Sequence, residues 1–347
     1  MWFAGVAWDA DGWELMVLDE AGQPAMAPRR YGAAERASLL AFVVALPGQA
    51  GERLVVAVDS TNGLLDRSLV EAGAEVARAD PWDLPPRTRM GSVPAEALAL
   101  AAHDRLPSLA RLSVASGTMH GRDQDDRTGA DASAALAGRL STEGLYLTSG
   151  PDDQPEVALT FDDGPDPRHT PAVLEALERY GAVATFFCVG AAASAHRDLL
   201  SRAARAGHLI ANHTWSHPFL PDLSLAELRW QIETTGSALA AAAGRAAMPR
   251  LVRPPYGAYT PEVLGWLAEQ EATTVLWDVD TDDWQVPGPD LITRHAVQGA
   301  RNGSIVLCHD GGGDRSQTAT ALPAIIEGLL DRGMRLVTVT QLGQPAS

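Results

Sequence analysis

From residue 155 onward the chain alternates short apolar runs with amphipathic stretches, and this alternation limits the fold more than any other feature. "EVALTFDD" precedes "PAVLEALERYG", "VATFFCVG" precedes "AHRDLLSRAARAG", and "HLIANHT" precedes "SLAELRWQIETTGSALAAAAG". "RLVRPPYG", "TTVLWDVD" and "SIVLCHDG" are followed by "PEVLGWLAEQ", "DLITRHAVQGA" and "ATALPAIIEGLLDRG", and "RLVTVT" closes the series. Near-continuous apolar runs fit strands buried on both faces of a parallel sheet, and the stretches between them carry the helical period. Seven such repeats, the last without its helix, predict an α/β fold. A length of roughly 190 residues suits either a barrel-like closure or an open doubly wound sheet.

The first part of the chain has another order. "MWFAGVAW", "WELMVLD" and "AMAPRRY" read as three antiparallel strands joined by turns at "DADG" and "EAGQP". Helix, strand "RLVVAVDS", helix, strand "AEVARAD" and a helix from about Pro94 to His103 follow. The 347 residues exceed one typical core. Two domains are therefore expected, 1–112 and 154–347. Residues 113–153, rich in Gly, Asp, Ser and Thr, are expected to form a linker with one short helix.

Charge narrows the function classes. The net charge is −17, both halves are acidic, and every basic residue is Arg. Bulk charge therefore argues against a nucleic-acid partner, and the absence of Lys excludes a Schiff-base or P-loop lysine. Cys188 and Cys308 sit inside apolar runs and read as buried thiols, not as a disulfide framework. The opening residues lack a basic stretch ahead of an apolar one, and no run approaches the ~18 apolar residues of a membrane span. A cytoplasmic location with no membrane partner is the resulting expectation.

In parallel sheets and barrels, active groups collect where strands end. Five of the seven strand ends here carry ionisable or metal-ligating groups: Asp162-Asp163, "NHTWSH", "RPPYG", "DVDTDDW" and "CHDGGG". His213 and His217, four apart, can converge on one ion from a helical turn or a tight loop. Asp162 or Asp163 can supply a third ligand. Neighbours in extended chain point to opposite sides, so one of these carboxylates can ligate while the other faces water. Two His and one carboxylate leave coordination positions open, as hydrolytic metal sites and non-haem iron oxygenases both require. His169, His196, His208 and His295 read as surface or packing residues, Trp215 and Trp277 as core, and glycines 311–313 as a flexible loop.

"TFDDGP", "HTWSH", "RPPYG", "DVDTDDW" and "IVLCHD", in this order, resemble the five motifs of the polysaccharide deacetylase (NodB homology) family over about residues 155–340. The resemblance implies a distorted (β/α)7 barrel and a metal-dependent amidohydrolase that removes an N-acetyl or other N-acyl group from an amino sugar. It implies that Asp163, His213 and His217 hold a divalent ion, Zn²⁺ first and Co²⁺, Mn²⁺ or Fe²⁺ as alternatives. By the same resemblance Asp162 is the general base, Arg253 holds it, and His309 is the general acid oriented by Asp283. The Tyr256 N–H would donate to the oxyanion, and Leu307, Trp284 and Pro255 would wall the acetyl pocket. Asp283 would raise the pKa of His309, as an acid working near neutrality needs. The implied partner is an N-acetylated sugar or small N-acyl compound.

Residues 1–112 resemble the opening half of ribonuclease-H-like transposases, but Ala7 stands where an acid is needed. Asp59 matches a second acid, Asp9 is nearby, and Gly91 and Pro94 stand where the last pair belongs. Two-metal nuclease chemistry needs several carboxylates. A degenerate, non-catalytic module for docking, for homo-oligomer formation or for shaping the barrel's mouth is therefore expected. The remaining alternatives are an iron oxygenase on the same ligands and a non-catalytic carbohydrate-binding or scaffolding protein.

Overall fold

The structure, a computed structural model, describes residues 1–9, 12–32, 35–50, 53–59, 63–79, 84–85, 92–115, 118–120, 130–243 and 250–344. Gly91 and the stretches 116–117 and 121–129 of the expected linker lie outside the described residues. Contact density divides the chain into two units, 1–124 with 216–230, and 125–215 with 231–347.

The first unit holds a mixed sheet of β1 (Trp2–Asp9), β2 (Gly12–Leu18), β3 (Arg29–Gly32), β4 (Leu54–Asp59), β5 (Glu75–Ala79), β6 (Ala110–Ala115) and β7 (Thr118–His120), in the order 3-2-1-4-5-6-7. β2 runs antiparallel to β1 and β3, β1, β4 and β5 are parallel, and β6 and β7 turn back antiparallel. Because side chains alternate along a strand, β1 feeds two cores. Ala4 and Val6 pack with Leu39 and Val43 of α1 (Arg36–Ala50) and with Leu65 and Leu69 of α2 (Gly63–Glu71). Phe3 and Ala7 pack with Leu98, Ala99 and Ala102 of α3 (Ala95–Arg105). Gly5 lets α3 approach closely; a Cβ there would stand 1.9 Å from the Ala95 carbonyl oxygen.

The second sheet is parallel. It contains β8 (Tyr146–Leu147), β9 (Glu156–Asp162), β10 (Thr185–Cys188), β11 (Leu209–Asn212), β12 (Leu251–Val252), β13 (Thr273–Val275), β14 (Val279–Asp280), β15 (Ser304–His309) and β16 (Arg335–Leu336). The order is 14-15-9-10-11-12-13-8, with β16 also on β9. Only residues 276–278 separate β13 from β14, yet these strands pair with β12 and β15, at opposite ends of that order. One bent run of chain therefore carries both ends, and the sheet curls into a barrel-like α/β fold. The open-sheet alternative is thereby removed. Within the stretch read as linker, α4 (Ala130–Thr142) is helical and β8 adds an edge strand beside β13.

The helices are α5 (Thr170–Arg179), α6 (Gly190–Ala195), α7 (Arg197–Arg205), α8 (Leu225–Ala243), α9 (Pro261–Glu269), α10 (Pro289–Gly299) and α11 (Ser316–Asp331). Val157, Leu159 and Phe161 of β9 face outward onto Val173, Leu177, Ile325 and Leu329. Ala158, Phe187, Ala211, Val275 and Ile305 fill the barrel interior. By alternation Thr160 and Asp162 share that inner side.

Candidate metal and acid–base site

Strand register places the site. His309 ends β15 opposite Asp162 at the end of β9, Asp162 is also opposite Phe187, and Cys188 is opposite Asn212, which is in turn opposite Val252. The residues just past these positions, Asp163, His213 and Arg253, therefore gather at one edge. Their turns are strained. Seven described residues other than glycine have positive φ, and Asp163 (73°), Thr214 (68°), His217 (57°), Tyr256 (62°) and Asp282 (54°) are among them. The left-handed region costs an L-residue about 1–2 kcal/mol, and such cost persists where the surrounding structure fixes the chain.

Asp163, His213 and His217 are buried, and one ligand atom from each lies within 4.8 Å of the others. The pair His213–His217 spans a tight loop with two left-handed residues, not a helical turn. His213 Nδ1–H donates to the Arg253 carbonyl at 2.8 Å, with the tautomer set by that acceptor. Nε2 then presents a lone pair 3.5 Å from Asp163 Oδ1 and 3.7 Å from Asp162 Oδ2. Both separations are too long for hydrogen bonds. Two ligands each ~2.1 Å from one tetrahedral ion stand ~3.4 Å apart, which matches the His213–Asp163 spacing. The donor set fits a divalent cation. The loop is held by Asn212, whose Oδ1 accepts from the Thr214 N–H at 2.8 Å, and by Gln231, whose Oε1 accepts from the Trp215 N–H at 2.7 Å.

Arg253 is fully buried in the barrel. Its guanidinium donates to Asp162 Oδ1 at 2.7 Å, Thr160 Oγ1 at 2.8 Å, and the carbonyls of Val275 and Leu276 at 3.2 and 3.1 Å. It also stacks over the Phe187 ring, 4.0 Å from the centroid. Burial pushes the guanidinium down, and the charge and hydrogen bond of Asp162 oppose that shift. Asp162 is thus aimed by one oxygen, with its other oxygen toward His213.

On the neighbouring strand, His309 Nδ1 bonds Asp283 Oδ1 at 2.7 Å. Asp283 Oδ2 accepts from the His309 N–H at 2.8 Å and from the Thr318 hydroxyl at 2.7 Å. Burial pushes the imidazole down, but the charge and hydrogen bond of Asp283 outweigh it, and the pKa of His309 is raised. Burial likewise pushes the Asp283 carboxyl up; His309, Arg315 and Thr318 outweigh it and hold the group below its usual range. Asp310, next in sequence, is driven up to about 7 by burial, aided by Asp163, Asp166 and Asp162 and opposed by the Thr170 hydroxyl bond.

Tyr256 lies in the 3-10 turn Pro255–Gly257, Trp284 in the turn Asp283–Gln285, and Leu307 shares a strand face with His309. Trp277 packs on Gly257, where a Cβ would stand 3.0 Å from the indole, and Trp215 packs on Gly190. His208 is a packing residue, edge-on to Phe186 at 5.3 Å with its pKa pushed down to about 4 by burial. Cys188 and Cys308 are buried and free, and burial raises both thiols. Glycines 311–313 depart from the flexible-loop expectation. A Cβ on Gly311 would stand 2.4 Å from the Asp163 carbonyl oxygen, and one on Gly312 would stand 2.2 Å from Asp163 Oδ2. Thr160, Asn212, Gln231, Asp310, Arg315 and Thr318 were missed from sequence. Of these, Asn212 and Asp310 stood inside the strand-end motifs and Thr160 two residues before Asp162 on the same strand face, while Gln231, Arg315 and Thr318 had no local signal. An open groove of about 610 Å³ beside β14 and α10, lined by Asp280, Asp282, Arg294 and His295, contains none of the three candidate ligands.

Among the described residues no helix is long and apolar enough to cross a membrane. The profile of the polysaccharide deacetylase family matches residues 149–275, which include Asp162, Asp163, His213, His217 and Arg253. Asp283 and His309 lie beyond it. A peptidoglycan-N-acetylglucosamine deacetylase of Bacillus cereus is 41% identical over 200 residues, covering 57% of this chain and 72% of that protein. A chitooligosaccharide deacetylase of a Bradyrhizobium species is 39% identical over 197 residues, covering 54% and 90%. A crystal structure of a peptidoglycan N-acetylglucosamine deacetylase superposes with TM-score 0.57 at 39% identity, covering 60% and 96%. A pseudoenzyme of carbohydrate esterase family 4 from Bacillus anthracis superposes with TM-score 0.53 at 28% identity, covering 57% and 69%. Likeness of this extent, falling on the part of the chain that assembles the site, makes the chain a member of the polysaccharide deacetylase family and a hydrolase of that deacetylating class.

Proposed function

We propose that the chain removes the N-acetyl group of an N-acetylated amino sugar, with a divalent ion, Zn²⁺ in the first instance, held by Asp163, His213 and His217. The observation that carries this is the register that sets Asp162 beside His309, with the candidate ligand cluster next to Asp162. Relatives named for peptidoglycan and chitooligosaccharide deacetylation support the sugar substrate. Held by Asp163, His213 and His217, a divalent ion would supply Lewis acidity to the amide carbonyl and to water. Asp162, steadied by Arg253, accepts the proton of the attacking water. The Tyr256 N–H donates to the oxygen that gains charge. His309, kept protonated by Asp283, gives its proton to the departing nitrogen as the carbon–nitrogen bond breaks. Leu307, Trp284 and Pro255 bound the space for the acetyl methyl group.

The test is acetate release from N-acetylglucosamine oligomers and a panel of small N-acetyl compounds, with Asp162→Asn alongside. Release by the wild type and a fall of about 10²–10⁴-fold in the variant is expected. Equal rates for the two proteins would remove Asp162 from the mechanism. No release by the zinc-loaded wild type would remove the N-acetyl reading.

For residues 1–112 we propose a degenerate ribonuclease-H-like module without nuclease activity. The strand order 3-2-1-4-5 with an antiparallel second strand supports it. Asp59 is tied into the fold, accepting from the Val93 N–H at 3.3 Å and the Ser92 hydroxyl at 3.2 Å, and Asp9 is paired with Arg30. DNA cleavage that Asp59→Ala abolishes would refute the module's inactivity, and sedimentation would report whether the full chain self-associates.

A further inference from the structure

Arg315 is as deeply buried as Arg253, at 1% exposure, and the function above gives it no task. Its Nε–H donates to the Gly311 carbonyl at 2.8 Å, and its Nη groups donate to the carbonyls of Asp314 at 3.2 Å and Gly312 at 3.4 Å. The guanidinium therefore grips three carbonyls of one short turn. That turn lies directly on Asp163, at the two glycines where a Cβ would collide with the Asp163 carbonyl oxygen and with Oδ2. Gly312 also holds φ at 71°. Asp163 Oδ1, the oxygen nearest His213, belongs to the same carboxylate. Three residues after Arg315, Thr318 bonds Asp283, so the segment that begins at His309 braces both the candidate metal ligand and the acid pair.

We propose that Arg315 is a positioning residue for the metal centre. By clamping the turn 311–314 it presses the Gly311–Gly312 backbone against Asp163 and fixes the direction in which that carboxylate presents its ligand oxygen. The proposal rests on the reading of Asp163, His213 and His217 as metal ligands. A glycine at 312 is required because any side chain would occupy the place of Oδ2. An arginine at 315 is required because three carbonyls at different angles need a planar fork of donors, which an ammonium group does not offer.

The test uses the metal-free full chain titrated with Co²⁺ in competition with a chromophoric chelator, and records the visible absorption of the bound cobalt, kcat and KM. Arg315→Met, Arg315→Lys and Gly312→Ala are compared with Gly333→Ala. Gly333 has φ 76° and nothing within 4 Å of an added Cβ, so it carries the same backbone strain away from the site. Expected are ~10–100-fold weaker Co²⁺ binding and an altered cobalt spectrum in Gly312→Ala and Arg315→Met. The effect should be smaller in Arg315→Lys and absent in Gly333→Ala, with kcat falling more than KM rises. Wild-type affinity and spectrum in a folded Gly312→Ala or Arg315→Lys protein would overturn the proposal, as would equal losses in Gly333→Ala. A wild type that takes up no cobalt would overturn the metal reading and the proposal together.

Discussion

Arg253→Met removes the only cation bonded to Asp162 among the contacts described above and leaves that carboxylate, 3% exposed, in the barrel interior. The lost bonds to Thr160, Val275 and Leu276 are worth about 1 kcal/mol each. Stranding the buried Asp162 charge adds roughly 2 kcal/mol, which brings the sum to the upper end of the ~3–5 kcal/mol for breaking a buried pair from one side. The variant should therefore be less stable by about 5 kcal/mol, a large fraction of the ~5–15 kcal/mol available to a domain. Asp162→Asn keeps the shape, removes the charge and strands the guanidinium, at a cost of about 2–3 kcal/mol. In the double variant neither charge is stranded. The two changes should then fall short of additivity by about 2 kcal/mol in urea unfolding at low temperature, while acetate release stays lost in all three proteins. Additive losses would show that Asp162 and Arg253 do not form the coupled unit described here, and activity in Arg253→Met would show that the base needs no such support.

The remaining predictions concern pH and strain. Asp283→Asn removes what raises the His309 pKa, so the alkaline limb of kcat should move to lower pH; an unmoved limb would assign that limb to another group. The raised imidazole also stabilises the fold below its ordinary pKa, a contribution lost as pH rises through the raised value. His208 behaves oppositely. Its folded pKa of about 4 lies below the ordinary 6.5, so stability should be full above pH 6.5 and fall by roughly 3 kcal/mol on acidification to pH 4. His208→Gln keeps an acceptor for the Ala184 N–H and should flatten that slope in denaturant titrations; an unchanged slope would refute the assignment. Tyr256→Gly relieves φ 62° and keeps the backbone N–H, so stability should change by no more than about 1 kcal/mol and kcat should stay within about 10-fold. A much larger loss of kcat would assign the chemistry to the phenol ring.

The strand–helix alternation was legible because strands buried on both faces must be largely apolar, as Val157, Ala158, Leu159 and Phe161 are, while the helices keep one polar face. The break between β13 and β14 was not. "TTVLWDVD" reads as one strand, and the bend at 276–278 is seen only in the folded sheet, where β13 pairs with β12 and β14 with β15. β8 is two residues long and joins the sheet through β13, so no periodicity could reveal it. At the site, residues whose chemistry is local were visible: adjacent aspartates, two histidines four apart, a histidine closing a strand. Arg315 was invisible because its acceptors are backbone carbonyls, which every residue offers. The seat at Gly311–Gly312 was read as flexibility because a sequence shows that glycine permits a turn and not what lies against it.

These failures have a common cause and a common place. Local preference and final structure agree through most of the chain, as they must in a sequence that folds to one state. They disagree at Asp163, Thr214, His217 and Tyr256, which have side chains where left-handed backbone favours glycine, and at Arg253 and Arg315, which are cations where the core favours hydrocarbon. All seven non-glycine residues with positive φ among the described residues lie between 163 and 286, inside the stretch that carries the strand-end motifs. Those described residues of 1–112 that could suggest chemistry are accommodated instead: Asp59 is bonded by Val93 and Ser92, and Asp9 is paired with Arg30. Strain persists only where other contacts hold it in place. Its concentration around the ligand cluster and the acid–base pair supports assigning the chemistry to the barrel edge by a route independent of sequence likeness.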